Sequence, residues 1–312
     1  MSIEGSKIYL GIDIGGSSVK YGWGNSAQGM LHYGQTTLTK ASKKALEEIV
    51  NLILESVNKE IGLEHIAAIG VGTPGMINRQ TGKLEGVNPN LSDWVDINPI
   101  SIFPDELQDK ITIDNDANLM TLAEAYLLPE VSHVLGITIG SGIGCGFVIN
   151  KQIYHGSRGY AMELGHNTVL VNGTVCNCGR RGCLEAYASV NGLLNLIRNS
   201  ESGSGSKKTS SMKDILQDGA ADINMQKIID QSIDYLAMAI SNLVINLDAE
   251  AIVLGGGVMD IDDYPAHKLM KRIMENLPDL LKKSTVIKKA SLGNKAGAMG
   301  AIHLAEDEFI KH

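Results

Sequence analysis

The chain opens on an apolar, β-branched run at residues 8–14, Ile-Tyr-Leu-Gly-Ile-Asp-Ile, followed by a glycine pair and then by alternation that puts Val19, Tyr21 and Trp23 on one face. Period two on both sides of a glycine turn predicts strand, turn, strand. Residues 135–149 repeat the plan, with Gly140, Gly142, Gly144 and Gly146 leading into a strand through Phe147 to Ile149. A third apolar run, Ala251-Ile-Val-Leu, ends in Gly255, Gly256 and Gly257 and reads as a buried strand. Helical spacing marks residues 43–60, 119–128, 184–199, 225–246, 268–283 and 295–306. The fourth of these carries Ile229, Ile233, Leu236, Ile240 and Val244, and the last carries Ala296, Gly297, Ala298, Gly300 and Ala301 for close packing. Strands alternating with helices predict an α/β fold.

The 312 residues are about twice a usual domain, so two lobes are expected. Laying residues 136–143 on residues 11–18 matches four of eight positions, as a duplicated lobe would. Two backbone-amide turns of this kind suit a polyphosphate. Neither is a P-loop, which needs Gly-Lys-Ser/Thr opening a helix, nor a Rossmann turn, because a strand follows each. Net charge is −8 and no basic run exceeds a pair, so no nucleic-acid footprint is present. The first residues carry no apolar stretch before the strand-like segment, and nowhere do 18 apolar residues run together. A soluble, cytoplasmic protein is therefore expected. Residues 201–211 read as a surface loop by their Gly, Ser and Lys content.

Three of the four cysteines, Cys176, Cys178 and Cys183, fall within eight residues, close after His166. One imidazole and three sulfurs on a glycine-bent loop form the ligand set of a tetrahedral zinc site. Four protein ligands leave no open position for water, so such a zinc is structural. Glu163 and Glu185 flank the ligands, and a rigid loop would hold both carboxylates toward hydroxyl groups of a polar substrate.

Residues 111–118, Ile-Thr-Ile-Asp-Asn-Asp-Ala-Asn, run from a strand into a helix and place Asp114, Asn115, Asp116 and Asn118 at a strand's C-terminal end. Sites of α/β folds lie there, and helix capping uses the same residue types. A calcium loop fails, since Leu119 stands where Gly is needed and Ala125 where Glu is needed. Phosphate-binding turns, a polar pocket and a lone carboxylate point to phosphoryl transfer from a nucleotide to a hydroxyl. Asp116 would accept the proton and Asp13 would organise the magnesium shell.

These residues resemble the ROK family of sugar kinases and repressors (repressor, open reading frame, kinase), within the actin-like ATPases. Residues 11–20 resemble its first phosphate motif, with Ser17 where Thr is usual; residues 140–146 resemble the second and 255–257 the adenosine end. Gly72-Thr-Pro-Gly75 and residues 88–94 resemble sugar loops, with Asp93 replacing a frequent Gly. The pattern Gly-His with Cys-x-Cys-Gly-x-x-Gly-Cys-x-Glu is complete from Gly165 to Glu185.

The resemblance implies two actin-like (ribonuclease H-like) lobes with a ligand cleft between them. One comprises residues 1–118 and about 294–312; the other comprises 119–293 and carries the zinc loop and a dimerisation surface. It implies ATP-dependent transfer to the 6-hydroxyl of a glucose-like hexose, with Asp116 as general base and Gly75, Asn90, Asn115, Glu163, His166 and Glu185 at the sugar. ATP and Mg2+ would meet Asp13, Gly15, Gly16, Ser17, Ser18, Lys20, Gly140, Ser141, Gly142, Gly255, Gly256 and Gly257. Zinc would be held by His166, Cys176, Cys178 and Cys183. N-acetylmannosamine, N-acetylglucosamine, fructose and β-glucosides are alternative substrates, and the implied assembly is a homodimer. Of the other function classes, a ROK repressor needs an added amino-terminal helix-turn-helix, whereas the first strand here begins near Lys7. An actin-like ATPase with a protein client has no use for the zinc loop.

Overall fold

The computed structural model describes residues 7–38, 42–85, 98–199, 209–220 and 222–311. The chain divides into two compact units. The first is Met1–Leu128, Lys151–Ala161 and Asn294–His312; the second is Pro129–Asn150 and Met162–Gly293.

In the first unit, β1 (Ile8–Ile14) is buried along its whole length, pairs antiparallel with β2 (Ser18–Asn25) and parallel with β4 (Ile66–Thr73). With β3 (Gly29–Thr37) and β7 (Ile111–Asn115) the sheet order is β3-β2-β1-β4-β7. Both faces of β1 are covered, which explains the unbroken apolar run. Ile8, Leu10, Ile12 and Ile14 join the core with α1 (Lys43–Glu60), while Tyr9 packs with Ile302 and Ala305 of α9 (Ala296–Lys311). On that second side the backbones touch: a Cβ on Gly11 would lie 2.1 Å from the Ala298 carbonyl oxygen, and one on Gly70 would lie 1.9 Å from that of Ala301. The small residues of α9 are therefore a packing requirement.

The hairpin β5 (Met76–Asn78) and β6 (Lys83–Glu85) follows β4, and α2 (Asp116–Tyr126) follows β7. The expected lobe boundary at 118 falls inside α2. Because α2 packs on α9, with the Leu119 carbonyl oxygen 1.9 Å from a Cβ on Gly300, the whole helix stays with the first unit. The return segment 151–161, carrying β10 (Gln152–Ile153), belongs to this unit as well. Lys151 Nζ donates to the Ala125 and Leu128 carbonyls and so caps the C-terminal end of α2.

The second unit repeats the scheme. β8 (His133–Ile139) pairs antiparallel with β9 (Ile143–Ile149) and parallel with β11 (Ala251–Gly255), which pairs parallel with β12 (Val286–Lys289). An antiparallel hairpin followed by two parallel strands is the β2-β1-β4-β7 order again, as the eight-residue repeat implied. The 25-residue α6 (Ile223–Leu247) is apolar and long enough to cross a membrane, but Ile229, Ile233, Leu236, Ile240 and Val244 are spent in this unit's core.

Two predicted helices are broken. Residues 184–199 divide into α3 (Glu185–Ala188) and α4 (Val190–Arg198) at Ser189, whose hydroxyl accepts from Gly192 N and caps the second piece. Residues 268–283 divide into α7 (Ala266–Asn276) and α8 (Asp279–Ser284) before Pro278, which cannot continue a helix. The loop expected at 201–211 lies outside the described residues up to 208. Beyond that, Thr209 is buried and Ser211 is the N-cap of α5 (Met212–Gly219), in a capping box with Asp214.

Candidate active site and metal centre

In the second unit, residues 166–183 fold back on themselves through bridges of Thr168 with Cys183 and Val175 with Arg181. Gly182, at φ 76°, makes the reversal possible, because a Cβ there would lie 1.8 Å from the Leu170 carbonyl oxygen. The ligand atoms of His166, Cys176, Cys178 and Cys183 all lie within 4.8 Å of one another. Cys178 Sγ is 3.6 Å from Cys183 Sγ, and Cys176 Sγ is 3.8 Å from His166 Nδ1. Zinc–sulfur arms of about 2.3 Å set tetrahedral ligands about 3.8 Å apart, so donor set and spacing both fit zinc. Burial pushes the Cys183 thiol up to about 12 and raises Cys176 too. Cys178 is lowered, because the Arg180 amide and the two neighbouring thiols outweigh its own burial. A metal entering the loop must therefore displace protons.

With Nδ1 facing the sulfurs, His166 Nε2 lies 3.9 Å from Glu163 Oε2. Burial raises the Glu163 pKa; His166 draws it back and the nearby Glu185 carboxylate adds to it. Met162, directly before Glu163, holds φ 69°. That left-handed backbone costs a non-glycine residue roughly 1–2 kcal/mol. Glu185 is the first residue of α3, and its Oε2 accepts from Ile143 N at 3.0 Å. It is thus neither a solvated first-turn glutamate nor an unengaged carboxylate, but holds the β8/β9 turn.

That turn is closed by Gly140 N donating to the Gly142 carbonyl at 3.0 Å, and Val190 N donates to the Gly140 carbonyl at 2.9 Å. A Cβ on Gly142 would lie 2.6 Å from Glu185 Oε2, whereas one on Gly140 or Gly257 meets nothing within 4 Å. The glycines after β11 come to the same turn. Val258 N donates to the Ile139 carbonyl at 3.1 Å, and Gly256, at φ 88°, would carry a Cβ 2.4 Å from that oxygen. Gly140, Ser141 and Gly142 are thereby gathered with Gly255, Gly256 and Gly257.

The corresponding turn of the first unit runs through Gly15, Gly16, Ser17 and Ser18. Gly15 N donates to the Ser18 carbonyl at 2.9 Å, and Gly16 and Ser17 are exposed. At its base Asp13 is buried opposite Lys20 in the β1/β2 register, with Lys20 Nζ 3.5 Å from Oδ2. Burial raises the Asp13 pKa, and the Lys20 ammonium partly offsets it. Its carboxylate thus stands at the base of the turn with the Lys20 ammonium as its charged neighbour. Gly297 of α9 lets the helix reach this group, since a Cβ there would lie 2.4 Å from the carboxylate.

At the β7/α2 junction, Asn115 is the N-cap of α2. Its Oδ1 accepts from Ala117 N at 2.9 Å and from Asn118 N at 3.4 Å, and its Nδ2 donates to the Gly75 carbonyl at 3.2 Å. Asp116 is the first residue of the helix, half-buried, and its Oδ1 accepts from Ala117 N at 2.8 Å. Capping and site geometry coincide at this junction. Asn90 and the rest of the second predicted sugar loop lie outside the described residues.

The ROK family model matches residues 9–308. The chain belongs to the ROK family. It is 30% identical to the glucokinase of Halalkalibacterium halodurans, over 96% of this chain and 95% of that protein. It is 30% identical to the N-acetyl-D-glucosamine kinase of Pasteurella multocida, over 94% and 98%. The crystal structure of a ROK hexokinase from Thermus thermophilus superimposes with a TM-score of 0.83 at 26% identity, covering 98% of this chain and all, 100%, of that one.

Two side chains of this ROK chain that sequence reasoning passed over also meet at the β7/α2 junction. Asp114 is buried, and Arg79 of the β5/β6 hairpin and His155 of the return segment both reach its Oδ2. Neither belongs to a local motif, and their distance from Asp114 along the chain left no periodic signal to find them by.

Proposed function

We propose that this chain is an ATP-dependent, cytoplasmic hexose kinase that transfers the γ-phosphoryl group to the 6-hydroxyl of a glucose-like sugar. The observation that carries the reading is the placement of Asp116. It is a half-buried carboxylate at the first position of α2, where β7 ends, on a junction whose cap residue Asn115 is tied to the Gly75 loop. Asp116 accepts the proton of the attacking hydroxyl, a role worth about 10²- to 10⁴-fold in rate. Positioning and electrostatics supply most of the remainder in phosphoryl transfer.

The amides of residues 15–18 and 140–142 receive phosphate oxygens, with Lys20 as the nearby ammonium and Asp13 as the carboxylate that holds the metal. When bound, Mg2+ neutralises charge on the β- and γ-phosphates. Gly257 leaves exposed backbone for the nucleoside, with Gly255 and Gly256 packed behind it. Asn115, Glu163, His166 and Glu185 take the sugar hydroxyls, and the zinc loop fixes His166 and Glu185 in place. For Asn115 and Glu185 this means sharing a group that already holds backbone, which restricts the sugar contact to whatever lone pairs and N–H groups remain.

The test is steady-state turnover of the purified chain with ATP, Mg2+ and a panel of glucose, N-acetylglucosamine, N-acetylmannosamine, mannose and fructose. Glucose is expected to give the highest kcat/KM and a 6-phosphate product. A higher value with an N-acetylated sugar would move the substrate and leave the reaction. Sugar binding without turnover of any sugar would refute the kinase and favour a sugar-responsive regulator of the same family.

A further inference from the structure

The buried carboxylate of Asp114 does not belong to the reaction as proposed, yet it ties three segments of the first unit together. Its Oδ1 accepts from Asn115 N and from Asn118 Nδ2, both at 2.8 Å, so it holds the first turn of α2 on either side of Asp116. Its Oδ2 meets Arg79 NH1 at 3.2 Å and His155 Nε2. Arg79 and His155 lie on segments that are themselves joined, because Arg79 N donates to the Arg158 carbonyl at 3.2 Å and Tyr160 OH donates to Glu85. Asn118 contributes its amide nitrogen to Asp114 while its buried Oδ1 finds no partner among the described residues, so the contact is kept at a cost.

Elementary hydrogen bonding fixes the protons. Arg79 NH1 lies 3.0 Å from His155 Nε2 as well as 3.2 Å from Asp114 Oδ2. A guanidinium only donates. Were Nε2 the acceptor of the Arg79 proton, its lone pair would be used up, and a carboxylate oxygen would face it with no hydrogen between them. Nε2 must therefore carry its hydrogen and donate to Asp114, and Arg79 donates to the same oxygen. Asp114 then accepts four hydrogen bonds, one for each lone-pair site of an ionised carboxylate.

Resting on the kinase reading above, we infer that Asp114 and His155 are positioning residues for the transfer. His155, carrying a hydrogen on Nε2, fixes the Asp114 carboxylate, and Asp114 fixes the amide of Asn115 and the side chain of Asn118 that bracket Asp116. Neither touches the reacting atoms. Misplacement of a reacting group by about 1 Å costs on the order of 10²-fold in rate, so the effect falls on kcat.

The variants His155→Leu and His155→Gln separate a hydrogen-bonding role from a packing role, since glutamine keeps an N–H donor and leucine does not. His155→Leu is expected to lower kcat about 10- to 100-fold with KM for ATP within about twofold of the parent. His155→Gln should recover most of that loss. A kcat for His155→Leu within twofold of the parent, or a His155→Gln no better than His155→Leu, would overturn the inference. Should His155→Leu fail to fold, Arg79→Leu carries the same expectation at smaller size, and an unchanged kcat there overturns it. Imidazole nitrogen NMR of the unmodified chain should show His155 protonated at Nε2, a preference lost in Asp114→Asn. Sugar turnover with His155 in the Nδ1–H form would refute this inference alone. No turnover of any sugar would instead refute the kinase reading beneath it.

Discussion

The two hairpin turns share a sheet plan and differ in what holds them. The β1/β2 turn rests on a buried Asp13 with Lys20 across the strand pair, and no side chain of another element closes its amides among the interactions described. The β8/β9 turn is held by Glu185, whose carboxylate reaches Ile143 N from a helix that starts two residues after Cys183 of the candidate metal loop. One scaffold used twice has thus been given two kinds of support. A charged pair stands at the base of the first turn, and in the second a carboxylate from beside the candidate metal loop holds the turn's backbone. The consequence is asymmetry: metal loss should damage the second turn and spare the first.

The largest effect should come from Cys178→Ser. Structural zinc of this kind contributes on the order of 10 kcal/mol of apparent binding energy. The variant should lose metal, and hydrogen exchange should quicken in β8, β9 and the 166–183 loop while β1, β2 and β4 keep their protection. Equal loss in both units would break the comparison. Next is the pair Gly256→Ala and Gly140→Ala. The first forces a Cβ to 2.4 Å from the Ile139 carbonyl oxygen at φ 88°, and the second meets open space. A denaturant titration should show Gly256→Ala less stable by about 2–4 kcal/mol and Gly140→Ala within about 1 kcal/mol of the parent.

How much of this was legible in the sequence follows from which signals are local. Glycine turns between β-branched runs, the 43–60 helix and the clustering of His166 with Cys176, Cys178 and Cys183 could all be read, because each is a local pattern. The break at Ser189 could not, since apolar spacing continues across it and only the cap geometry interrupts the helix; the break before Pro278 is different, because the proline stands in the sequence and apolar spacing alone masked it. The dual engagement of Asn115 and Glu185 was hidden as well. A cap and a substrate contact use the same residue types, and only the distances to Gly75 and Ile143 reveal what each side chain already holds. Asp114 with Arg79 and His155 was out of reach because the three lie far apart along the chain and share no local pattern. The lobe boundary moved because α2 follows its packing on α9, which spacing alone does not show.

A smaller effect sharpens the contrast from the first unit's side. His303 of α9 is buried, stacks on Tyr126 with ring centroids 3.7 Å apart, and has no partner for its Nδ1 among the described residues. Burial lowers its pKa to about 4 from the usual 6.5. The unfolded chain therefore binds the proton first as pH falls, and the first unit should lose stability progressively from pH 6.5 to about 4, by about 3 kcal/mol in all. His303→Phe keeps the stack, removes the titration, and should flatten the stability slope in that window. An unchanged slope would contradict the assignment.

The most direct test of the central claim is single-turnover transfer from γ-labelled ATP to glucose by the Asp116→Asn variant, with glucose binding measured in parallel by calorimetry. The account predicts labelled glucose 6-phosphate from the parent, a rate lower by about 10² or more in the variant, and glucose affinity within a few-fold of the parent. Transfer at a near-parental rate by the variant would contradict it.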